Sequence, residues 1–137
     1  MMRRLVLLVG SAVAVVAMVL FFRGAPTGGG SGEAFAEVTV PQLTNIQMQG
    51  ETAFKTNCAS CHGVNAAGKD GFGPPLVHRI YEPSHHGDMA FVLAVKQGVR
   101  AHHWKFGNMP PVAGVSDPEI QAIIAYVRAL QRANGIQ

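Results

Sequence analysis

Gly50-Glu51-Thr52-Ala53-Phe54-Lys55-Thr56-Asn57-Cys58-Ala59-Ser60-Cys61-His62 is the stretch on which the reading of this chain turns. Its last five residues hold both cysteines of the sequence, three positions apart, with a histidine directly after the second. Thiols at that spacing share one turn, so each can add to a vinyl group along one edge of a haem while the adjacent imidazole reaches the iron. The pattern reads as c-type haem attachment, with one haem held covalently through Cys58 and Cys61. Other readings of the pair fit less well. A disulfide across so short a loop is a poor staple, because stabilisation grows with the length of chain enclosed. A thioredoxin-like redox pair wants a strand before the motif, whereas a helical pattern precedes this one. A zinc site would need a second Cys or His pair at finger-like spacing.

Working outward, residues Asn45 to Asn57 read as a helix, with Ile46, Gly50, Ala53 and Phe54 on one face of a 3.6-residue period. Gly50 costs about 1 kcal/mol inside a helix relative to Ala, which makes sense where a second helix crosses and needs the missing side chain. The crossing partner is expected at the carboxyl end. Ser116-Asp117-Pro118-Glu119 has the form of a capping box, and Ile120, Ile123, Ile124, Val127 and Leu130 continue it as an apolar stripe closed by Gly135. A further helix is expected over Asp88 to Gln97, with Ala90, Phe91, Leu93, Ala94 and Val95 core-like, Met89 packing, and Gly98 as terminator. Gly63 to Gly73 holds four glycines and reads as a loop fitted to the haem edge. The expected fold is all-α: three or more helices packed around one haem.

A haem iron used for electron transfer takes a sixth ligand, and Met109 in Gly107-Asn108-Met109-Pro110-Pro111 is the candidate. Two following prolines stiffen the segment that carries its thioether. His102 and His103 are the alternative ligands, and an open sixth position is the other alternative. Met48 lies too close to the attachment site to serve.

These elements resemble the class I cytochrome c family. Gly50-x-x-x-Phe54-x-x-x-Cys58 is similar to that family's first helix running into its haem motif. Ile123-Ile124-Ala125-Tyr126-Val127-Arg128 resembles its last helix, whose aromatic residue packs on the glycine of the first. Gly73-Pro74-Pro75-Leu76 resembles the loop in which a proline carbonyl accepts a hydrogen bond from the axial histidine. The resemblance spans about residues 45–133. It implies that Pro74 steadies His62 through Nδ1 and that His62 and Met109 ligate the iron. A His/Met pair raises the reduction potential, so a fairly positive couple is expected.

Upstream, Met1-Met2-Arg3-Arg4 is followed by eighteen uncharged residues, Leu5 to Phe22. At ~1.5 Å per residue these span about 27 Å, close to the ~30 Å of a bilayer core. Residues 1–23 therefore read as an uncleaved transmembrane anchor. The alternative is a signal peptide cut after Ala34-Phe35-Ala36, although that site lies far beyond the apolar run. The arginines favour an amino terminus in the cytoplasm, which puts a haem domain at 41–137 on the periplasmic side of a bacterial membrane. Residues 24–40, opened by a Gly-rich run, read as a flexible tether between the two.

The net charge of +3 is partly anchor-flanking arginine. From Thr39 onward eight basic residues face six acids, and two haem propionates would bring the domain near neutrality. No basic cluster points to nucleic acid, and no catalytic dyad or small-molecule substrate site is visible. The expected function is single-electron transfer between membrane redox complexes, not enzyme catalysis. The alternatives are a haem subunit of a larger dehydrogenase or oxidase, a peroxidase, or a gas-binding sensor.

Two histidine pairs, His85-His86 and His102-His103, are unexplained by the haem. Imidazole suits copper, but adjacent side chains on a helix diverge by about 100°, so neither pair is expected to converge on one ion. Trp104, beside the second pair, is expected to line the haem pocket with its N–H free for a propionate or a backbone oxygen.

Overall fold

A computed structural model describes residues 31–137. The expected anchor over 1–23 and the first part of the tether lie outside them. Helix α1 (Asn45–Asn57) starts after Thr44, whose backbone N–H donates to Gln47 Oε1 at 2.9 Å. A four-residue helix, α2 (Ala59–His62), follows at once and carries the second half of the cysteine motif. Short 3₁₀ turns at Val64–Ala66 and Arg79–Tyr81 punctuate a long loop before α3 (Asp88–Gln97). Helix α4 (Asp117–Ala133) closes the domain. The described residues form no strand, only the isolated bridges Lys69–Gly73 and Val99–Met109. None of their helices is long and apolar enough to cross a membrane.

The crossing of α1 and α4 is the centre of the fold. A Cβ on Gly50 would run into the Ala122 carbonyl and stand 2.9 Å from Tyr126 Cβ, so the two backbones touch where the glycine lies. Below that point Phe54 packs on Tyr126 with ring centroids 5.7 Å apart, and both are fully buried with Val127 and Leu130. Each large side chain taken from water here contributes about 1.5–3 kcal/mol. Ile46 is the exception on the expected face of α1: it is about half exposed.

The capping box of α4 forms as its sequence suggests. Ser116 donates from its backbone N–H (2.9 Å) and its hydroxyl (2.6 Å) to Glu119 Oε2. The two donors hold the Glu119 carboxyl below its usual pKa. Helix α3 buries Val95 against Ile120 and Ile124 of α4, forming a second, smaller cluster. Met89, expected to pack, is exposed: α4 covers a different side of α3, and Arg128, not an apolar contact, ties the amino end of α3 to it.

Residues 31–35 run back along the domain. Gly32 N–H donates to Asp70 O at 3.2 Å, Asp70 N–H to Glu33 O at 2.9 Å and Phe35 N–H to Ala67 O at 3.2 Å. Phe35 meets Trp104 and Phe106 at centroid distances of 6.4 and 5.7 Å. This end of the expected tether is therefore docked on the domain.

Candidate haem site

One apolar cavity of about 610 Å³ opens beside the helix crossing, and all five residues singled out from the sequence line it: Cys58, Cys61, His62, Pro74 and Met109. Its volume lies in the range of sites that enclose a large organic group, ~300–1,000 Å³. Phe54 and Ile123 form its inner wall, and α3 supplies Phe91, Leu93 and Ala94. The half-exposed state of Leu93 follows from that position, since its side chain borders the cavity and not the core.

On the attachment side, the turn after α1 brings the two thiols and the imidazole together. Both cysteines are free thiols. Burial, reinforced by neighbouring Cys61, pushes the Cys58 pKa up to about 11, so this sulfur is a protonated thiol at neutral pH. An activated redox pair would show the opposite shift. His62 Nδ1 lies 3.0 Å from the Pro74 carbonyl oxygen. A carbonyl only accepts, so Nδ1 carries the proton and donates, which leaves the Nε2 lone pair for a metal. Burial lowers the His62 pKa, against the opposing effect of the Pro74 bond, and keeps the ring neutral.

Met109 is delivered by a different device. Its N–H donates to Val99 O and its carbonyl accepts from Val99 N–H, both at 2.9 Å. Gly98, at φ +75°, makes this pairing possible: a side chain there would collide with the Met109 carbonyl and stand 3.0 Å from Pro111 N. Asn108 Oδ1 accepts from Ala101 N–H at 2.9 Å and closes the loop between them.

The lining also fits a haem in its polar detail. Trp104 Nε1 is buried with no hydrogen-bond partner among the described residues. A donor in that state awaits an acceptor, and a propionate is one. Burial raises the Tyr81 pKa with the Trp104 N–H opposing it, yet the contact between them falls short of hydrogen-bond geometry. Two thiols, a neutral imidazole with its lone pair free, a thioether, an apolar wall and an unpaired N–H together suit a covalently bound haem.

Sequence reasoning missed two things here. Arg128, which the sequence offers only as the last residue of the motif from Ile123, is buried at 7 % exposure. It donates to Asp88 Oδ1 (2.8 Å), to the Tyr81 carbonyl (2.7 Å), to Gln131 Oε1 (2.6 Å) and to the His86 carbonyl, and its guanidinium lies 4.8 Å from the Phe91 ring centroid. It thereby fastens the loop at 81–88, and with it one wall of the cavity, to α4. No local signal marks this role, because its hydrogen-bond partners are 40 or more residues away for all but Gln131. The second miss concerns the histidine pairs. Neither is on a helix, so the divergence expected of helical neighbours does not apply, and the two pairs face each other across the cavity rim.

The sequence profile described as cytochrome c matches residues 47–131, well over half of the chain. The protein belongs to the cytochrome c family and is a class I c-type cytochrome. It is 35 % identical over 106 residues to the cbb3-type cytochrome c oxidase subunit FixP of Rhizobium meliloti (strain 1021), covering 68 % of this chain and 33 % of that one. It is 37 % identical over 86 residues to the cbb3-type cytochrome c oxidase subunit CcoP of Rubrivivax gelatinosus, covering 61 % of this chain and 26 % of that one. The chain thus spans a third or less of the length of these relatives. No solved structure matches. A cytochrome c domain carries covalent haem c with its iron, and its role is haem electron transfer.

Proposed function

We propose that the protein is a single-electron carrier whose haem is attached through Cys58 and Cys61 and ligated by His62 and Met109. The observation that carries this reading is that all four residues, contributed by two separate segments, line one apolar cavity. When bound, the haem supplies a one-electron iron couple. The chain's own residues do the rest. Pro74 fixes the tautomer and orientation of His62, and the Val99–Met109 pairing holds the thioether segment. The apolar wall excludes water, which helps to favour the reduced, less charged state. His102 and His103 line the same cavity, but both are exposed and His103 Nε2 faces His85 at 3.4 Å, whereas Met109 is half-buried and held by two hydrogen bonds to Val99. That difference favours Met109.

Met109→Ala is the test. The long-wavelength charge-transfer band that thioether ligation gives oxidised haem should vanish and the midpoint potential should fall, with the domain still folded. A band that persists refutes the ligand assignment. Rapid CO binding by the reduced wild-type protein would instead favour a sensor or peroxidase.

A second reading concerns the setting. The relatives are oxidase subunits, and the apolar run Leu5–Phe22 is long enough to span a bilayer. Together they support a haem domain held at the periplasmic face by an anchor at 1–23, with the expected tether of 24–40 shortened by the docking of residues 31–35 on the domain. Its donor and acceptor would be membrane redox complexes, with a cbb3-type oxidase as one candidate partner. Co-purification from detergent-solubilised membranes, with and without residues 1–23, tests this. Recovery of the full chain in the soluble fraction would defeat it.

A further inference from the structure

The four histidines left over by the haem site converge at the cavity rim. His85 and His86 follow the 3₁₀ turn at Arg79–Tyr81, and His102 and His103 sit in the segment ahead of Met109. His85 Nε2 lies 3.4 Å from His103 Nε2, and one ring nitrogen from each of His85, His86 and His103 falls within 4.8 Å of the others. At 3.4 Å two neutral imidazoles share at best one long hydrogen bond. The same separation is the edge of a tetrahedral site: with metal–nitrogen bonds of about 2.0–2.1 Å, two ligand nitrogens stand roughly 3.3 Å apart.

A second observation is independent of that distance. His86 Nδ1 lies 2.6 Å from the Ile80 carbonyl, which requires Nδ1 to carry the proton and leaves the lone pair on Nε2. A backbone carbonyl holding one nitrogen while the other stays free is the usual support of a ligating histidine. The donor set is all imidazole. The acids closest in sequence to His85 and His86 are used elsewhere, Asp88 by Arg128 and Glu82 by the Ser84 hydroxyl. Imidazoles without carboxylates select zinc, copper or nickel over the oxygen-seeking magnesium and calcium.

We propose that His85, His86 and His103 form a three-histidine site for a divalent late first-row ion of the zinc and copper class, with a fourth position open to water. His102 packs against His86 at a centroid distance of 6.0 Å, beside the site and not in it. His85 and His103 are exposed, which gives the ion an entry path. Because one ligand set spans the 85–86 turn and the Met109 segment, the ion cross-links the two loops that frame the haem cavity.

The experiment uses tag-free, chelator-stripped holoprotein titrated with Zn²⁺, read by calorimetry and by metal content after gel filtration. One ion per chain is expected, together with a Zn²⁺-dependent rise in Tm. His85→Ala and His103→Ala should each weaken binding at least tenfold and abolish the rise, while His102→Ala changes it less than threefold. Unfolding curves without metal check that each variant is folded. Three results overturn the site: no stoichiometric uptake by wild type, uptake that survives the His85→Ala/His103→Ala double variant, or a loss in His102→Ala as large as in His103→Ala.

Discussion

The two sides of the haem cavity are built in opposite ways. Cys58 and His62 emerge from a crossing of two helices whose contact residues, Gly50, Phe54, Tyr126 and Val127, are buried and apolar. Met109 stands on a segment held by polar pairings, two with Val99 and one between Ala101 and Asn108, on residues that are half-buried or exposed. Water competes with those hydrogen bonds, each of which contributes a net ~0.5–1.5 kcal/mol. It does not compete with burial of Phe54 against Tyr126. The attachment side is thus the stable one and the Met109 side the adjustable one, which suits the role proposed for Met109 as a ligand meeting an iron already placed by the other half.

The contrast can be broken or sharpened by mutation. Gly50→Val should have the largest effect, since its side chain strikes the α4 backbone and not a movable rotamer. A loss of about 3 kcal/mol, the upper end for overpacking, is expected. In a domain of this size that is roughly 12–24 °C in Tm by calorimetry. An unchanged melting point would mean that the helix crossing does not govern stability. Met109→Ala, by contrast, should leave the helical circular dichroism intact while altering the haem spectrum.

Arg128→Ala comes next. It leaves the Tyr81 and His86 carbonyls and the Gln131 side chain short of partners, at a cost of about 2–3 kcal/mol in chemical denaturation. Asp88→Asn should cost no more than about 1 kcal/mol, because the Asp88 side chain is 63 % exposed. Equal effects would show that the ion pair, and not the carbonyl clamp, is what matters.

Tyr126→Phe is smaller. It keeps the ring packing on Phe54 and removes only the hydroxyl donated to Asn65 Oδ1 at 3.2 Å, so about 1 kcal/mol is expected. The weakest effect is one of pH. The folded pKa of Glu119 is depressed, so its contribution is complete above its usual 4.5 and is lost as pH falls through the lowered folded value. Glu119→Gln should therefore narrow the stability difference from wild type as pH drops below 4.5. A gap that holds constant through that range would show that the carboxylate is not the capping group.

Much of this protein was legible because its signals are local. Cys58 to His62 is chemistry at fixed spacing, the Ser116–Glu119 box is one turn of backbone, and the stripe from Ile120 to Leu130 is a period of one helix. Even Gly50 announced a crossing, because a glycine inside a helix needs a reason. Ile46 and Met89 are exposed against expectation, because periodicity names a face of a helix but not which of its residues a neighbour covers.

By itself, then, the sequence determined the class of cofactor, the helices and where two of them meet, since each depends on residues within a few positions of one another. Only the tertiary structure decided that Arg128 is a buried clamp, that the Trp104 N–H has no partner among the described residues and that His85 faces His103. Those three facts depend on partners brought close by the fold or, for Trp104, on the want of one, and no pattern along the chain encodes them.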